Sequence, residues 1–163
     1  MRLLSLMLLS SMLMLGASKS SEKVSSKKAN PYLPEQLQEI DFGWPLTRVA
    51  DIRDLRSEDM VDETFRKAVY QHIQLGDIEG VAYYFDGDGE QPLYELIVQY
   101  NTEAARDAAA DKLLGKPNYE NNKEWLIDTK RGYKLRAWKF KNKLVLVALL
   151  PGTEWYEDMY GKD

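Results

Sequence analysis

Residues 144–150 are apolar without interruption, and this run constrains the fold more than any other feature of the chain. A strand that is hydrophobic at every position is typical of one whose two faces are both covered. Pro151 and Gly152 follow directly and predict that the strand ends there. The sequence therefore predicts a central strand, with other elements packed above and below it.

Two further strands precede this run, at residues 124–128 and 133–141. The connections are short, with Gly132 in the first and Asn142 in the second, so both links are predicted to be tight antiparallel turns. An earlier pair of strands is predicted at residues 80–85 and 93–100, where large apolar side chains alternate along each strand. Asp and Gly residues between them, at positions 86–90, predict a hairpin.

Three segments have helical signals. Residues 102–114 are rich in alanine, with Asn101 as the predicted cap and Gly115 as the stop. Residues 57–75 carry apolar side chains at helical spacing, and they are predicted to form a helix that begins at Ser57 and ends at Gly76. Residues 34–55 are predicted to form two short helices around a turn.

The fold class that follows is α+β. We expect an antiparallel sheet of about five strands in the order ββαβββ, with N-terminal helices and the one Ala-rich helix packed on it. Residues 35–163 have the length of a single domain. The chain has no cysteine, so a hydrophobic core and not disulfides must hold this domain together.

The N-terminus has the pattern of a secretory signal peptide at residues 1–18. Arg2 precedes an apolar run at residues 3–15, and small residues follow it. The run is shorter than the roughly 20 residues that a membrane-spanning helix needs. We therefore expect an exported protein, periplasmic or extracellular, without a transmembrane helix in its mature form. The alternative is a buried apolar helix of the mature domain.

Residues 19–34 are rich in Ser and Lys and contain few large aliphatic side chains. Such a segment buries little apolar surface on folding, and it is predicted to be a disordered tether. A processing remnant without a role is the alternative interpretation.

Few residues carry the chemistry of a known site. His72 is the only histidine and there is no cysteine, which excludes a zinc site built from these two residue types. The loop at 86–90 has the alternating Asp and Gly of a calcium loop. An EF-hand loop needs a glutamate at its twelfth position, however, and counted from Asp86 that position is Ile97, which offers no oxygen ligand. Phosphate-binding glycine loops are absent. No cofactor, metal site or catalytic residue is predicted.

Charge is strongly segregated along the chain. Residues 35–111 hold 18 acids and 6 bases, a net charge of −12, whereas residues 112–143 hold 3 acids and 10 bases, a net charge of +7. Either the two halves neutralise each other across the fold or the basic half forms a face that meets an anionic partner. The sequence alone leaves both interpretations open.

The candidate binding site is the row Lys134, Arg136 and Trp138. Strand alternation places these three side chains on one face, which is open if the core lies beneath the other face. The predicted function is an exported binding or inhibitor-like protein of the cell envelope that meets a protein or an anionic ligand, and not nucleic acid. A small secreted hydrolase that uses carboxylates and a structural envelope protein are the alternatives.

Overall fold

The computed structural model describes residues 29–161. They form an α+β fold built on one antiparallel sheet of seven strands, whose spatial order is β1-β2-β3-β4-β7-β6-β5. The strands are β1 (Met60–Asp62), β2 (Arg66–Leu75), β3 (Ile78–Asp86), β4 (Leu93–Tyr100), β5 (Trp125–Asp128), β6 (Lys134–Phe140) and β7 (Lys143–Leu149). The helices are α1 (Leu46–Arg53), α2 (Glu103–Leu114) and α3 (Glu154–Tyr160), with two 3-10 helices at Glu35–Leu37 and Ser57–Asp59.

β7 is the interior strand that its apolar run predicted. It pairs with β4 on one side and β6 on the other, and its residues from Leu144 to Leu149 are all buried. The fold class is therefore confirmed. The prediction of five strands in the order ββαβββ is not matched, because the structure has four strands before α2 and three after it.

The largest correction concerns residues 57–75, which were predicted to be a helix and instead contain β1 and β2. From Val69 onwards the buried and half-buried side chains alternate with exposed ones, which is the period of a strand. Pairing with β3 along nearly the whole length of β2 decides between the two periods. Gly76, predicted to end a helix, has a φ of +61° and turns the β2–β3 hairpin, a conformation that suits glycine.

The N-terminal segment, residues 29–55, covers one face of the sheet. The two short helices predicted in residues 34–55 correspond to the 3-10 helix Glu35–Leu37 and to α1. Residues 29–34 had been assigned to the tether, yet Asn30 is 1% exposed and Leu33 is fully buried, so the packed chain begins before residue 35. The signal peptide and the rest of the tether, residues 1–28, lie outside the described residues and remain predictions.

Asp41 fixes this segment to the sheet. Its carboxylate accepts hydrogen bonds from Asn30 Nδ2 (2.9 Å), Tyr133 Oη (2.9 Å) and Arg131 Nη2 (2.6 Å). A buried charge with this many donors is compensated, and it joins the start of the described chain to the β5–β6 turn.

α2 lies on the same face as the N-terminal segment, with Ala110 fully buried against the sheet. Its N-cap is Thr102, whose side chain accepts a hydrogen bond from the Ala105 amide, and not the predicted Asn101. None of the helices in the described range is long and apolar enough to cross a membrane.

Candidate binding face

The sheet has two unequal faces. The first carries the main core, in which Tyr83, Leu96 and Leu146 pack beneath the N-terminal segment and α2. On the second face α3 covers only the part formed by β4, β7 and β6, where Val145, Val147 and Leu149 form a smaller cluster. The remainder of the second face, formed by β2, β3 and part of β4, has no helix over it among the described residues.

Lys134, Arg136 and Trp138 do share the second face, as alternation along β6 predicted. The row is not open, however. The Trp138 ring packs on Trp155 of α3, with ring centroids 5.1 Å apart at 60°. Arg136 Nε binds Glu124 Oε2 at 2.9 Å and its guanidinium lies 5.9 Å from the Trp155 ring, so Lys134 is the one exposed residue of these three.

The expectation of an open row is therefore corrected, because sequence analysis did not predict α3. A binding role for these three residues remains a prediction. The apolar side chains Trp155, Tyr156 and Met159 stand at helical spacing, a signal that indicates the helix.

Polar contacts hold α3 in place. Trp155 Nε1 donates to Glu95 Oε2 at 2.9 Å, and the Tyr94 hydroxyl donates to Glu154 Oε1 at 2.8 Å. Arg66 Nη1 lies 3.2 Å from the same Glu154 oxygen. These bonds join the C-terminal helix to β2 and β4.

Burial is the main cause of the shifted pKa values of Glu95 and Tyr94 beneath α3. Glu95 is 4% exposed, and desolvation raises the pKa of its carboxyl group, although the Trp155 hydrogen bond and the positive charge of Arg66 lower it. Desolvation also raises the pKa of the Tyr94 hydroxyl, and the hydrogen bond to Glu154 raises it further, so Tyr94 stays neutral and donates. The cluster is satisfied internally and covered by the Trp155 indole.

The uncovered part of the second face forms a groove of about 310 Å³. Tyr70 on β2, Ala82 and Tyr84 on β3 and Ile97 on β4 line it. Two large apolar side chains that line this groove stand exposed: Val61 (59%) and Tyr70 (50%). We call Val61, Tyr70, Ala82, Tyr84 and Ile97 the open face.

Gly80 explains how Tyr70 lies flat on the open face. A Cβ atom built at Gly80 would stand 2.1 Å from the Tyr70 hydroxyl oxygen, so only glycine leaves room for the ring. Close approach of this kind is a known use of glycine in a strand. Prediction of a helix at residues 57–75 hid this surface from sequence analysis.

Carboxylates border the open face along β1. Residues 57–63 contain Glu58, Asp59, Asp62 and Glu63 and no Lys or Arg. Asp62 pairs with Lys67 at 3.1 Å and Glu63 pairs with Arg66, whereas Glu58 and Asp59 are exposed. Asp59 and Glu63 line the groove together with one base, Lys143, so acids outnumber bases at this border.

The basic half of the chain is neutralised in part by the acidic half. Arg131 pairs with Asp41 at 2.6 Å, and Lys139 pairs with Asp107 at 3.0 Å. These contacts favour the interpretation in which the charges compensate within the fold.

The remaining sequence candidates are dispersed. His72 is exposed on β2, and Asp86, Asp88 and Glu90 lie at the β3–β4 hairpin. In the described part of the chain no group of three or more His, Cys, Asp or Glu side chains is placed to hold a metal ion. Comparison of the chain with protein-family models, with curated proteins and with solved structures found no match.

Proposed function

We propose that this chain is an exported binding protein whose open face takes an extended segment of a partner protein carrying apolar and basic side chains. The observation that supports it is the groove of about 310 Å³, in whose lining Val61 and Tyr70 stand exposed. Contiguous exposed apolar surface that a polar border surrounds is typical of protein-binding sites. Export rests on the signal-peptide pattern of residues 1–18.

Charge complementarity selects the partner. Two acids, Asp59 and Glu63, and one base, Lys143, line the groove, so acids outnumber bases there. Such a field attracts a basic segment and repels an acidic one. This is the opposite polarity from the anionic partner that the basic row suggested.

The hydrolase alternative gains no support from the groups with a shifted pKa. Glu95 is the buried carboxyl group suited to act as an acid, but Trp155 covers it and Val147 stands opposite it on the neighbouring strand. A substrate reaches this group only if α3 moves away.

Two short synthetic peptides test the proposal, one with alternating Val and Lys and one with alternating Val and Glu. We expect the Lys peptide to bind more tightly, measured by fluorescence polarisation at low salt and again at high salt. Tyr70→Ser combined with Val61→Ser removes much of the apolar contact area and should weaken binding at least tenfold. Both changes are at exposed side chains, so the variant should melt close to the parent.

Ile52→Ser is the matched control, because Ile52 is a large exposed hydrophobic residue on α1, which packs on the other face of the sheet. It should bind the Lys peptide as the parent does. Equal binding of the two peptides, or undiminished binding by the double variant, would contradict the proposal.

A further inference from the structure

A second concave site lies on the opposite face of the sheet, between α2 and the 3-10 helix Glu35–Leu37. Its volume is about 450 Å³, within the roughly 300 to 1,000 Å³ that small-molecule sites occupy. Ile78, Tyr100 and Leu113 belong to the main core or pack against it, and they contribute apolar surface to the wall. This site shares no residue with the open face.

Small side chains on α2 make room for this cavity. Ala105, Ala108 and Ala109 face the cavity, whereas Ala110 is the alanine that is buried against the sheet. The Ala-rich helix therefore packs closely on the core through Ala105, Ala109 and Ala110, and Ala105, Ala108 and Ala109 form part of the cavity wall.

The wall of this cavity contains a buried hydroxyl group, that of Tyr100. It lines this cavity and is 3% exposed, and its hydroxyl group has no hydrogen-bond partner among the described residues. Burial raises the pKa of the hydroxyl, and the negative charge of Asp77 raises it further, so the group is neutral and able to donate or accept. A buried polar group left without a partner calls for an explanation, and a ligand or a water molecule is one.

The rim carries both signs of charge. Glu35 on the 3-10 helix and Asp77 in the β2–β3 turn present carboxylates, and Lys112 on α2 presents an ammonium group; all three are exposed. An apolar wall beneath a rim of opposite charges matches a molecule with an apolar body and both an amine and a carboxylate.

We propose that this cavity is a binding site for a small zwitterionic amphipathic molecule of the size of a free aromatic amino acid. The apolar body lies against Ala105, Ala109 and Leu113. The ammonium group faces Asp77 and Glu35, and the carboxylate faces Lys112.

Three probes of one size separate the contributions: L-phenylalanine, phenethylamine without the carboxylate, and 3-phenylpropionate without the amine. Binding is followed at millimolar concentration by the backbone amide shifts of the mature protein. We expect L-phenylalanine to bind most tightly and to shift the amides of Ala105, Ala109 and Ile78. Lys112→Gln should weaken L-phenylalanine about tenfold and leave phenethylamine unchanged, as expected for the loss of one charge-assisted contact.

A matched pair of substitutions on α2 tests the location. Ala108→Trp places a large side chain in the cavity and should abolish the shifts, whereas Ala104→Trp, at an exposed position outside the cavity wall, should not. Both sites are exposed, so both variants should fold. The proposal is overturned if none of the three probes shifts these amides, or if Ala108→Trp binds L-phenylalanine as the parent does.

Discussion

Trp155 of α3 donates its indole N–H to the buried carboxylate of Glu95 on β4, at 2.9 Å. Glu95 stands directly opposite Val147 in the sheet, so this bond fixes the C-terminal helix above the interior strands. The same indole ring contacts Trp138, and this contact joins α3 to β6.

The first prediction concerns the pH dependence of stability. Burial raises the pKa of Glu95 above its ordinary value of 4.5, so the folded chain holds this proton more tightly than the unfolded chain does. The contribution of Glu95 to the free energy of unfolding is therefore largest below the ordinary pKa, and it decreases as pH rises through the raised one. Glu95→Gln should flatten this part of the profile, measured as melting temperature against pH.

Glu58→Gln is the control, because Glu58 is fully on the surface of the 3-10 helix Ser57–Asp59. It should keep the parental pH profile. A Glu95→Gln profile that runs parallel to that of the parent would contradict a raised pKa at Glu95.

Val147→Asp should unfold the domain. Val147 is fully buried between the sheet and α3, and an unpaired charge there costs several kcal/mol. Val61→Asp makes the same change at an exposed strand residue and should melt near the parent. If Val147→Asp melts within about 2 °C of the parent, the interior position of β7 is wrong, since even 1 kcal/mol shifts a domain of this size by roughly 4 °C.

Tyr100→Phe should leave stability unchanged or increase it by about 1 kcal/mol, because the hydroxyl group it removes is buried without a partner among the described residues. Tyr83→Phe is the matched comparison. The Tyr83 hydroxyl donates to Gln71 Oε1 at 2.8 Å and accepts from Arg53 Nε at 3.1 Å, so its loss should cost about 1 to 2 kcal/mol. Urea unfolding measures both, and a larger loss for Tyr100→Phe than for Tyr83→Phe would refute the assignment.

Asp41→Ala should destabilise the domain by about 3 kcal/mol, because Asn30, Tyr133 and Arg131 lose their common acceptor. Asp51→Ala, on the exposed side of α1, should have little effect. Protease digestion gives a second measurement: release of the N-terminal segment should expose the chain near Asn30 to cleavage in the Asp41 variant only. Equal melting of the two variants would show that this network does not hold the segment.

Substitutions at Trp138 and Lys134 on β6 should differ in their effect on stability. Trp138→Ser removes the ring that packs on Trp155 and should cost about 3 kcal/mol in thermal unfolding. Lys134→Ser should change stability by less than about 0.5 kcal/mol, since Lys134 is exposed. A Trp138→Ser variant as stable as Lys134→Ser would restore the open row as a candidate surface.

The second half of the sheet was predictable from sequence because local signals agreed there. Gly115 ends α2 as expected, and the tight turns on either side of β6 fixed the bounds of β5, β6 and β7 to within about two residues, the usual uncertainty of such limits. β4 begins and ends at the predicted residues.

β2 was not predictable in the same way, because Val61, Phe65 and Val69 recur at a helical spacing that competes with strand alternation. Only the pairing with β3, a tertiary contact, settles the choice. Two errors led to the choice of the β6 row as the candidate site. Prediction of a helix at residues 57–75 concealed the open face. Because α3 was not predicted, Arg136 and Trp138 were expected to be exposed.

The sheet consists of two halves that meet where β4 pairs with β7, and we call this strand pair the seam. β1 to β4 and β5 to β7 are two meanders whose strands pair with their neighbours along the chain, and β4 and β7 alone among the described strands pair across α2 and two other strands. Each meander closes short loops, whereas the seam closes a long one and carries most of the topological cost of folding. The rate of folding should therefore be set where β4 and β7 come together, at the pair formed by Leu96 and Leu146.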